Sequence, residues 1–487
     1  MKKGRRRAVE YPLVVIGAGA GGLVVAIGAA KAGKKVLLIE KGNYGGDCTN
    51  FGCIPSKSTI AAAHLAHSLS NHSKYGISAE ITGFNPSQAL ARTREIIGQI
   101  REEEEPEALA KHGVDTLTGT ASFVSPRKLE VKTQDGKSIE VSAKTIVLAT
   151  GSYPVKPDIE GIDDVRFYNN ETIFDLTEVP AKLAVLGGGP IGCELAQAYR
   201  RLGSEVMLIQ HAPRLLMKEE PEAQELIEGK FREEGIDLFL EHEPKKIVKE
   251  GGGLAVTYLD LKSREEKICS ATHLLVAAGR RPAIEPLNLE VAGVATWKKG
   301  IEVDAYGRTS QKHIWAVGDC TGEAPFTHMA ENAGRRVLFN LLAPRFLWKK
   351  KKDPWNVPRV TFTDPEVATV GLIESKALQN YAPSKLAVYT FPFSKLDRAI
   401  TTGRTDGFVK VVTKKWSSRI LGATICGPRA GEMLLEISTA MYGKIPLRKL
   451  ADVIHPYPTY SLAVRKAADL WLTQTLLPSL KKLVGRG

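Results

Sequence analysis

Cys48 and Cys53 stand five positions apart in the stretch GGDCTNFGCIPSKS, Gly45 to Ser58, in a chain of 487 residues with only six cysteines. In a regular α-helix, residues at that spacing are separated by about 7.5 Å of rise alone, more than the roughly 4.4–6.8 Å between Cα atoms that a disulfide spans. A pair therefore requires an irregular first turn. Gly45, Gly46 and Gly52 supply the backbone freedom, and Pro55 suits an early helical position whose amide is not needed inside the helix. Thiols at a helix N-terminus have lowered pKa values, so a thiolate there is stabilised as a nucleophile or electron donor. The two cysteines are either incidental small residues or a reversible dithiol, and the dithiol is the more economical reading.

The elements around the pair show what would feed it. PLVVIGAGAGGLVVAIGAAKAGKKVLLIEK reads as an apolar strand, a turn with Gly17, Gly19 and Gly22, a small-residue helix, and a second strand ending at Glu40. This is a βαβ unit with an acid about 20 residues past the turn, the context that makes a glycine pattern specific for a dinucleotide. The glycines let backbone amides approach a pyrophosphate at the helix N-terminus, and Glu40 can accept from an adenosine ribose hydroxyl. The unit recurs in AKLAVLGGGPIGCELAQAYRRLGSEVMLIQHAPR, with Gly187, Gly189 and Gly192 in the turn and Gln210 where an acid would bind the ribose of NADH. Without that acid nothing repels a 2′-phosphate, and His211 and Arg214 lie near in sequence. NADPH is therefore expected to be preferred, or both nucleotides used. Two dinucleotide sites in one chain suggest an electron relay.

Between and after these units, AKTIVLATGS (Ala143–Ser152), HLLVAAGRRPAIEPL (His273–Leu287) and GRTSQKHIWAVGDC (Gly307–Cys320) each end an apolar strand in a glycine turn, as at crossings between two interleaved α/β domains. From about Val357 the texture becomes β-rich and then helical in AGEMLLEISTAMYG, an α+β domain. The expected division is 8–155 with 282–345 for one dinucleotide-binding domain, 156–281 for the other, and 356–475 for the third. The fold class is α/β, two Rossmann-like domains interleaved, plus that C-terminal α+β domain.

Composition narrows the function classes. With 43% apolar and 25% charged residues the chain reads as soluble and globular. Cys193, Cys269, Cys320 and Cys426 lack short paired spacings, which argues against a disulfide framework or a structural metal and for a reducing, cytoplasmic compartment. The net charge of +13 comes largely from local runs at Met1–Arg7, Trp348–Pro354 and the C-terminus. No recognition motif accompanies it, so nucleic-acid binding is not expected. The basic start followed by an apolar stretch imitates a secretion signal, but its glycines suit a strand, turn and helix better.

In this order, GGDCTNFGCIPSKS, GGGPIGCELA, AAGRRP, AVGDC and HPYPTY resemble the flavin-dependent pyridine nucleotide–disulfide oxidoreductases, and the resemblance covers about Tyr11 to Lys466. It implies FAD on the first unit, held by Gly17, Gly19, Gly22, Glu40, Lys41, Gly46, Thr150, Gly151, Asp319 and Ala330, with Asp319 accepting from the ribityl chain. It implies NADPH or NADH on the second, at Gly187, Gly189, Gly192, Gln210, His211, Arg214, Gly279 and Arg280. It further implies a C-terminal domain that forms a homodimer with shared active sites. Cys53 would be the charge-transfer thiol nearest the flavin, Cys48 the interchange thiol, and Lys57 with Glu194 a pair near the flavin N5. The alternative for that pair is a solvated surface salt bridge.

One departure bears on the acceptor. Disulfide reductases of this family carry His-Pro with a Glu four residues after the proline, whereas HPYPTYSL places Tyr457 before Pro458 and Leu462 at the acid's position. His455 sits two residues early and reads as structural or interfacial. A tyrosine of pKa about 10 is ionised about one part in a thousand at pH 7, and its gap of about 3.5 from imidazole corresponds to roughly 5 kcal/mol of proton affinity. Efficient deprotonation of a dithiol substrate is not expected. A tyrosine here resembles the mercuric reductases and their relatives, which implies a soft metal ion ligated by Cys48 and Cys53 as acceptor. No cysteine follows Cys426, where mercuric reductases proper carry a further pair. A dihydrolipoamide dehydrogenase-like enzyme and a quinone reductase are the enzymatic alternatives. DLWLTQTLLPSLKKLVGRG leaves a redox-sensing or membrane-peripheral protein as another, although a helix packed on its own domain explains that pattern equally well, and no membrane association is expected.

Overall fold

The computed structural model describes residues 9–78, 80, 82–350 and 356–484. The basic run Met1–Arg7, the second half of the lysine run before Pro354 and the last three residues lie outside the described residues.

The first sheet begins with β1 (Val9–Ile16), which runs parallel to β2 (Val36–Glu40), with Leu13 opposite Val36 and Ile16 opposite Ile39. On its other side β1 is parallel to the long strand Ser138–Leu148, with Ile16 opposite Leu148. All five residues of β2 are buried, as expected of a central strand covered on both faces. The chain leaves this sheet at Leu148 and returns much later, when Ile314–Ala316 pairs parallel with Ile146–Leu148. Helix α1 (Ala20–Lys31) crosses from β1 to β2 and packs against the helix Thr327–Leu342. Glycines permit that close approach: a Cβ on Gly334 would lie 2.7 Å from the carbonyl oxygen of Gly21.

The second sheet holds four parallel strands in the order Ile236–Leu240, Glu205–Gln210, Lys182–Leu186 and His273–Val276. Its helix Pro190–Arg201 starts with proline at the first position, where the missing N–H would have had no partner. Ser152–Pro154 and Arg280–Pro282 pair antiparallel and form the double crossing between the two units. The third domain is a five-stranded antiparallel sheet over Arg359–Gly427, with the helices Ala430–Tyr442 and Leu462–Trp471 on its core. The architecture is α/β, with two interleaved Rossmann-like units and a C-terminal α+β domain.

The C-terminal segment continues from Leu462–Trp471 through one π-helical turn into Leu477–Val484. It packs on its own domain: Trp471 Nε1 donates to the carbonyl of Lys415 at 3.0 Å, and Thr475 shares a 2.7 Å hydrogen bond with Tyr389. Among the described residues no helix is long and apolar enough to cross a membrane.

Candidate redox site

The irregular turn that the cysteine spacing demands is present. Gly45 and Gly46 adopt positive φ (90° and 64°) and lead into a short helix, α2 (Gly46–Phe51), which carries Cys48. Gly52 breaks the chain direction at φ −126°, ψ −103°, and α3 (Cys53–Ser70) starts on the second cysteine. The break brings the two free thiols close enough to perturb each other's titration, which a continuous helix could not do.

The pair is electrostatically asymmetric. The hydrogen bond from Cys48 lowers the Cys53 thiol to about 6 against the opposing effect of burial, assisted by Thr327 and the charge of Lys57. Thr327 Oγ1 lies 3.3 Å from Cys53 Sγ, placed to donate to a thiolate. Cys48 is pushed up, first by donating to Cys53 and then by burial. One sulfur is thus held as thiolate and its neighbour as thiol.

Lys57 lies one turn along α3 from Cys53. Its Nζ contacts Glu194 Oε2 at 2.8 Å and sits 4.4 Å above the ring of Phe362. Glu194 is 7% exposed, and its other oxygen accepts from the Phe362 amide at 2.9 Å. A buried carboxylate does not fit the solvated surface salt bridge. The pair joins α3, the helix Pro190–Arg201 and the start of the C-terminal domain.

Each glycine turn has the shape of a pyrophosphate cradle. A Cβ on Gly22 would overlap the carbonyl oxygen of Gly17, and one on Gly17 (φ 105°) the carbonyl oxygen of Ala149, so backbone packing demands both glycines. Gly19 instead faces open space: a Cβ there would meet only the Cα of Gly46, at 3.9 Å. In the second unit Gly192 likewise abuts Gly187, and Gly189 has nothing within 4 Å. The middle glycine of each turn is therefore free for a ligand's approach. Nearby, Thr150 Oγ1 is buried with no hydrogen-bond partner. Half-buried Asp319 accepts from Ser152 Oγ at 2.6 Å, and desolvation raises its pKa. This donor and acceptor set fits a flavin dinucleotide, with Gly17–Gly22, Glu40, Thr150 and Asp319 as the residues that would hold it. Lys41 is exposed at the end of β2. Ala330 carries its carbonyl against Gly21, in the packing of α1 on Thr327–Leu342.

Glu40 and Gln210 occupy matching places. Glu40 Oε2 accepts from the amide of Ala18 at 2.7 Å and Oε1 from Gly42 at 2.9 Å; Gln210 Oε1 accepts from the amide of Gly188 at 2.9 Å. The local geometry is kept while the charge is absent. Arg214 pairs with buried Glu228 at 2.9 Å yet remains 45% exposed, and His211 is exposed beside it. A cavity of about 140 Å³ opens beside Gly189, lined also by Pro190, Ile191, Asn170, Pro154 and Gly279.

Arg280 has a different setting from the one its motif implies. Four contacts direct its guanidinium into the protein: Ser152 Oγ (2.8 Å), the Ser152 carbonyl (3.0 Å), Asn170 Oδ1 (3.0 Å) and Asp47 Oδ1 (2.8 Å). Asp47, Asn170, Ser152 and Thr327 were not legible as site residues. Asp47 had a signal in its place beside Cys48, whereas the others lie far from the pair in sequence.

Tyr457 is 70% exposed and donates from Oη to Asp397 Oδ2 at 2.8 Å, a carboxylate contact that raises its pKa. Leu462 is buried at the start of its helix. His455, with its side chain 5% exposed, faces Glu436 Oε1 through Nε2 (3.0 Å) and the Val453 carbonyl through Nδ1 (2.9 Å). Both of its ring nitrogens are thus engaged.

Two dinucleotide folds converging on a polarised dithiol define a flavoprotein disulfide oxidoreductase. The chain belongs to that family: residues 11–334 match the family described as pyridine nucleotide-disulphide oxidoreductase, and residues 357–468 match its dimerisation domain. The family uses FAD with NAD(P)H as electron donor. Among curated relatives, a mercuric reductase of Streptomyces lividans is 35% identical over 94% of this chain and 96% of that protein. A dihydrolipoyl dehydrogenase of Chlamydia trachomatis is 34% identical over 96% of each. Among solved structures, the Cu(II) complex of the HOCl-induced flavoprotein disulfide reductase RclA from Escherichia coli superposes with a TM-score of 0.84 at 28% identity, covering 95% of this chain and 99% of that one.

Proposed function

We propose that the protein is a homodimeric NAD(P)H-dependent reductase of a soft metal ion, mercuric reductase-like, with Cys48 and Cys53 as the pair that meets the ion. The observation that carries this reading is the Tyr457–Asp397 contact: the carboxylate keeps the phenol protonated where a dithiol oxidase needs a base. Buried Leu462 offers no carboxylate to orient an imidazole, and His455 has both nitrogens occupied. The names of several relatives, and the Cu(II) bound in the RclA structure, support a metal-ion acceptor.

When bound, FAD supplies the two-electron relay between nicotinamide and sulfur. The chain's own residues then hold Cys53 as thiolate beside Lys57 and Thr327, and keep the Cys48 proton on its sulfur until a ligand displaces it. A soft divalent ion takes both sulfurs as thiolates, releasing that proton. For a mercuric ion the balance is one NAD(P)H and one Hg²⁺ giving NAD(P)⁺, a proton and Hg⁰. NADPH is the expected donor, because neutral Gln210 replaces the acid that excludes a 2′-phosphate. Exposed Leu435, Tyr442 and Ile454 on the C-terminal domain supply apolar surface for the partner subunit, at 67%, 67% and 94% exposure.

The test is anaerobic reduction with NADPH followed by Hg²⁺, Cu²⁺, a quinone, lipoamide or oxidised glutathione. Metal-ion turnover should exceed disulfide turnover, and Tyr457→Phe should impair the metal reaction more than quinone reduction. Tyr457→His with Leu462→Glu should raise lipoamide turnover. Native lipoamide turnover matching the best metal ion would overturn the proposal in favour of a dihydrolipoamide dehydrogenase-like enzyme.

A further inference from the structure

Asp47 precedes Cys48, and its carboxylate is held from across the molecule. Arg280 Nη2 donates to Asp47 Oδ1 at 2.8 Å, Arg280 Nη1 donates to Asn170 Oδ1 at 3.0 Å, and Asn170 Nδ2 donates to Asp47 Oδ1 at 3.2 Å. The three side chains close a triangle. Asn170 Nδ2 also reaches the Phe51 carbonyl at 3.3 Å, so both ends of α2 are tied to it. The far side of the triangle belongs to the nucleotide cavity: Asn170 lines it, and Arg280 follows Gly279, another lining residue. Asn170 is 6% exposed, and the Arg280 side chain is 15% exposed. The Asp47 side chain is 40% exposed, so one corner of the triangle reaches solvent while the other two are held inside.

We propose that the Asp47–Asn170–Arg280 triangle is a positioning device coupling occupancy of the nucleotide cavity to the redox state of the Cys48–Cys53 pair. The inference rests on the proposed function, in which the pair is redox-active and the cavity takes a nicotinamide nucleotide. Closing the disulfide draws the two sulfurs, unbonded here, to about 2.05 Å, which pulls on the α2 backbone at Cys48. Asp47, one residue away, transmits that shift to Asn170 and so to the cavity wall. The dithiol and disulfide states thereby present different walls to the nucleotide. A ligand that distinguishes them must in turn shift the dithiol–disulfide balance by the same factor.

The experiment measures affinity of the FAD-loaded enzyme for a redox-inert nucleotide, 3-aminopyridine adenine dinucleotide phosphate, in two states: as oxidised, and after two-electron reduction with dithionite. The wild-type affinities should differ by roughly fivefold or more. Asn170→Ala and the isosteric Asp47→Asn should each bring the ratio toward one, and the double variant should lose no more than either alone. Retained flavin absorbance shows that each variant is folded. A wild-type ratio of one, or a ratio unchanged in both variants, overturns the coupling. A reduced wild-type enzyme without a long-wavelength thiolate–flavin absorbance overturns the functional reading as well; that absorbance together with a ratio of one sinks the coupling alone.

Discussion

Cys53 and Cys48 differ in electrostatic role although they share one turn. Cys53 receives hydrogen bonds from Cys48 and Thr327 and the field of Lys57, so it is the sulfur that carries charge. A thiolate beside an oxidised flavin donates charge to it. The two-electron-reduced enzyme should therefore show a long-wavelength band that Cys53→Ser abolishes and Cys48→Ser keeps. Because the Cys53 pKa is lowered to about 6, the band should grow as pH rises through that value and fade below it, in a spectral pH titration. Gln210 supports a second prediction at this scale. Its carbonyl oxygen already takes the amide contact that Glu40 takes in the first unit. Gln210→Glu therefore restores charge without rebuilding the turn, and should lower kcat/KM for NADPH by about tenfold or more relative to NADH. An unchanged ratio would place nucleotide choice elsewhere.

At the scale of elements, the glycine turns divide into structural and ligand-facing positions. Gly22→Ala forces a methyl into the Gly17 carbonyl and should cost the fold, seen as lost soluble protein or a lowered Tm. Gly19→Ala meets no such obstacle in the protein, so the chain should fold with native circular dichroism yet retain little FAD. These turns were legible in the sequence because part of the need for glycine is local, the positive φ of Gly17 and the contact of Gly22 with the Gly17 carbonyl, although Gly17 also abuts distant Ala149. The cysteine turn was legible for the same reason, since Gly45, Gly46 and Gly52 sit beside the thiols they position. Thr327 was not, because its contact with Cys53 spans 274 residues and nothing near Thr327 announces a sulfur. Arg280 was legible as part of a motif but not in its contacts: Asp47 and Asn170, which take its guanidinium, come from two other segments. The positions of Tyr457 and Leu462 were readable against the family pattern, whereas Asp397, the partner of Tyr457, was visible only in the folded chain.

For the whole molecule, the second nucleotide unit is fastened to the C-terminal domain by a charge cluster around a buried lysine. Lys410, with its side chain 4% exposed, contacts Glu220 (3.2 Å), Glu222 (2.7 Å) and Glu374 (2.7 Å). Burial lowers its pKa, but these carboxylates outweigh that effect and raise it. Lys410→Met leaves the buried Glu220 carboxylate without its cation and should destabilise the protein by about 3–5 kcal/mol, measured by denaturant unfolding. The interleaved sheet has a consequence of another kind, for synthesis on the ribosome. The carboxyl end of Ser138–Leu148 awaits Ile314–Ala316, and the whole second unit is made in between. At about 5–20 residues per second that wait is on the order of ten seconds or longer. Throughout it a hydrophobic strand edge stands open beside Thr150, and Asp319 has not yet been translated. The nascent chain therefore cannot complete this sheet or the flavin site until the inserted unit has been made, which leaves the half-built sheet's open edge exposed to aggregation in the interval.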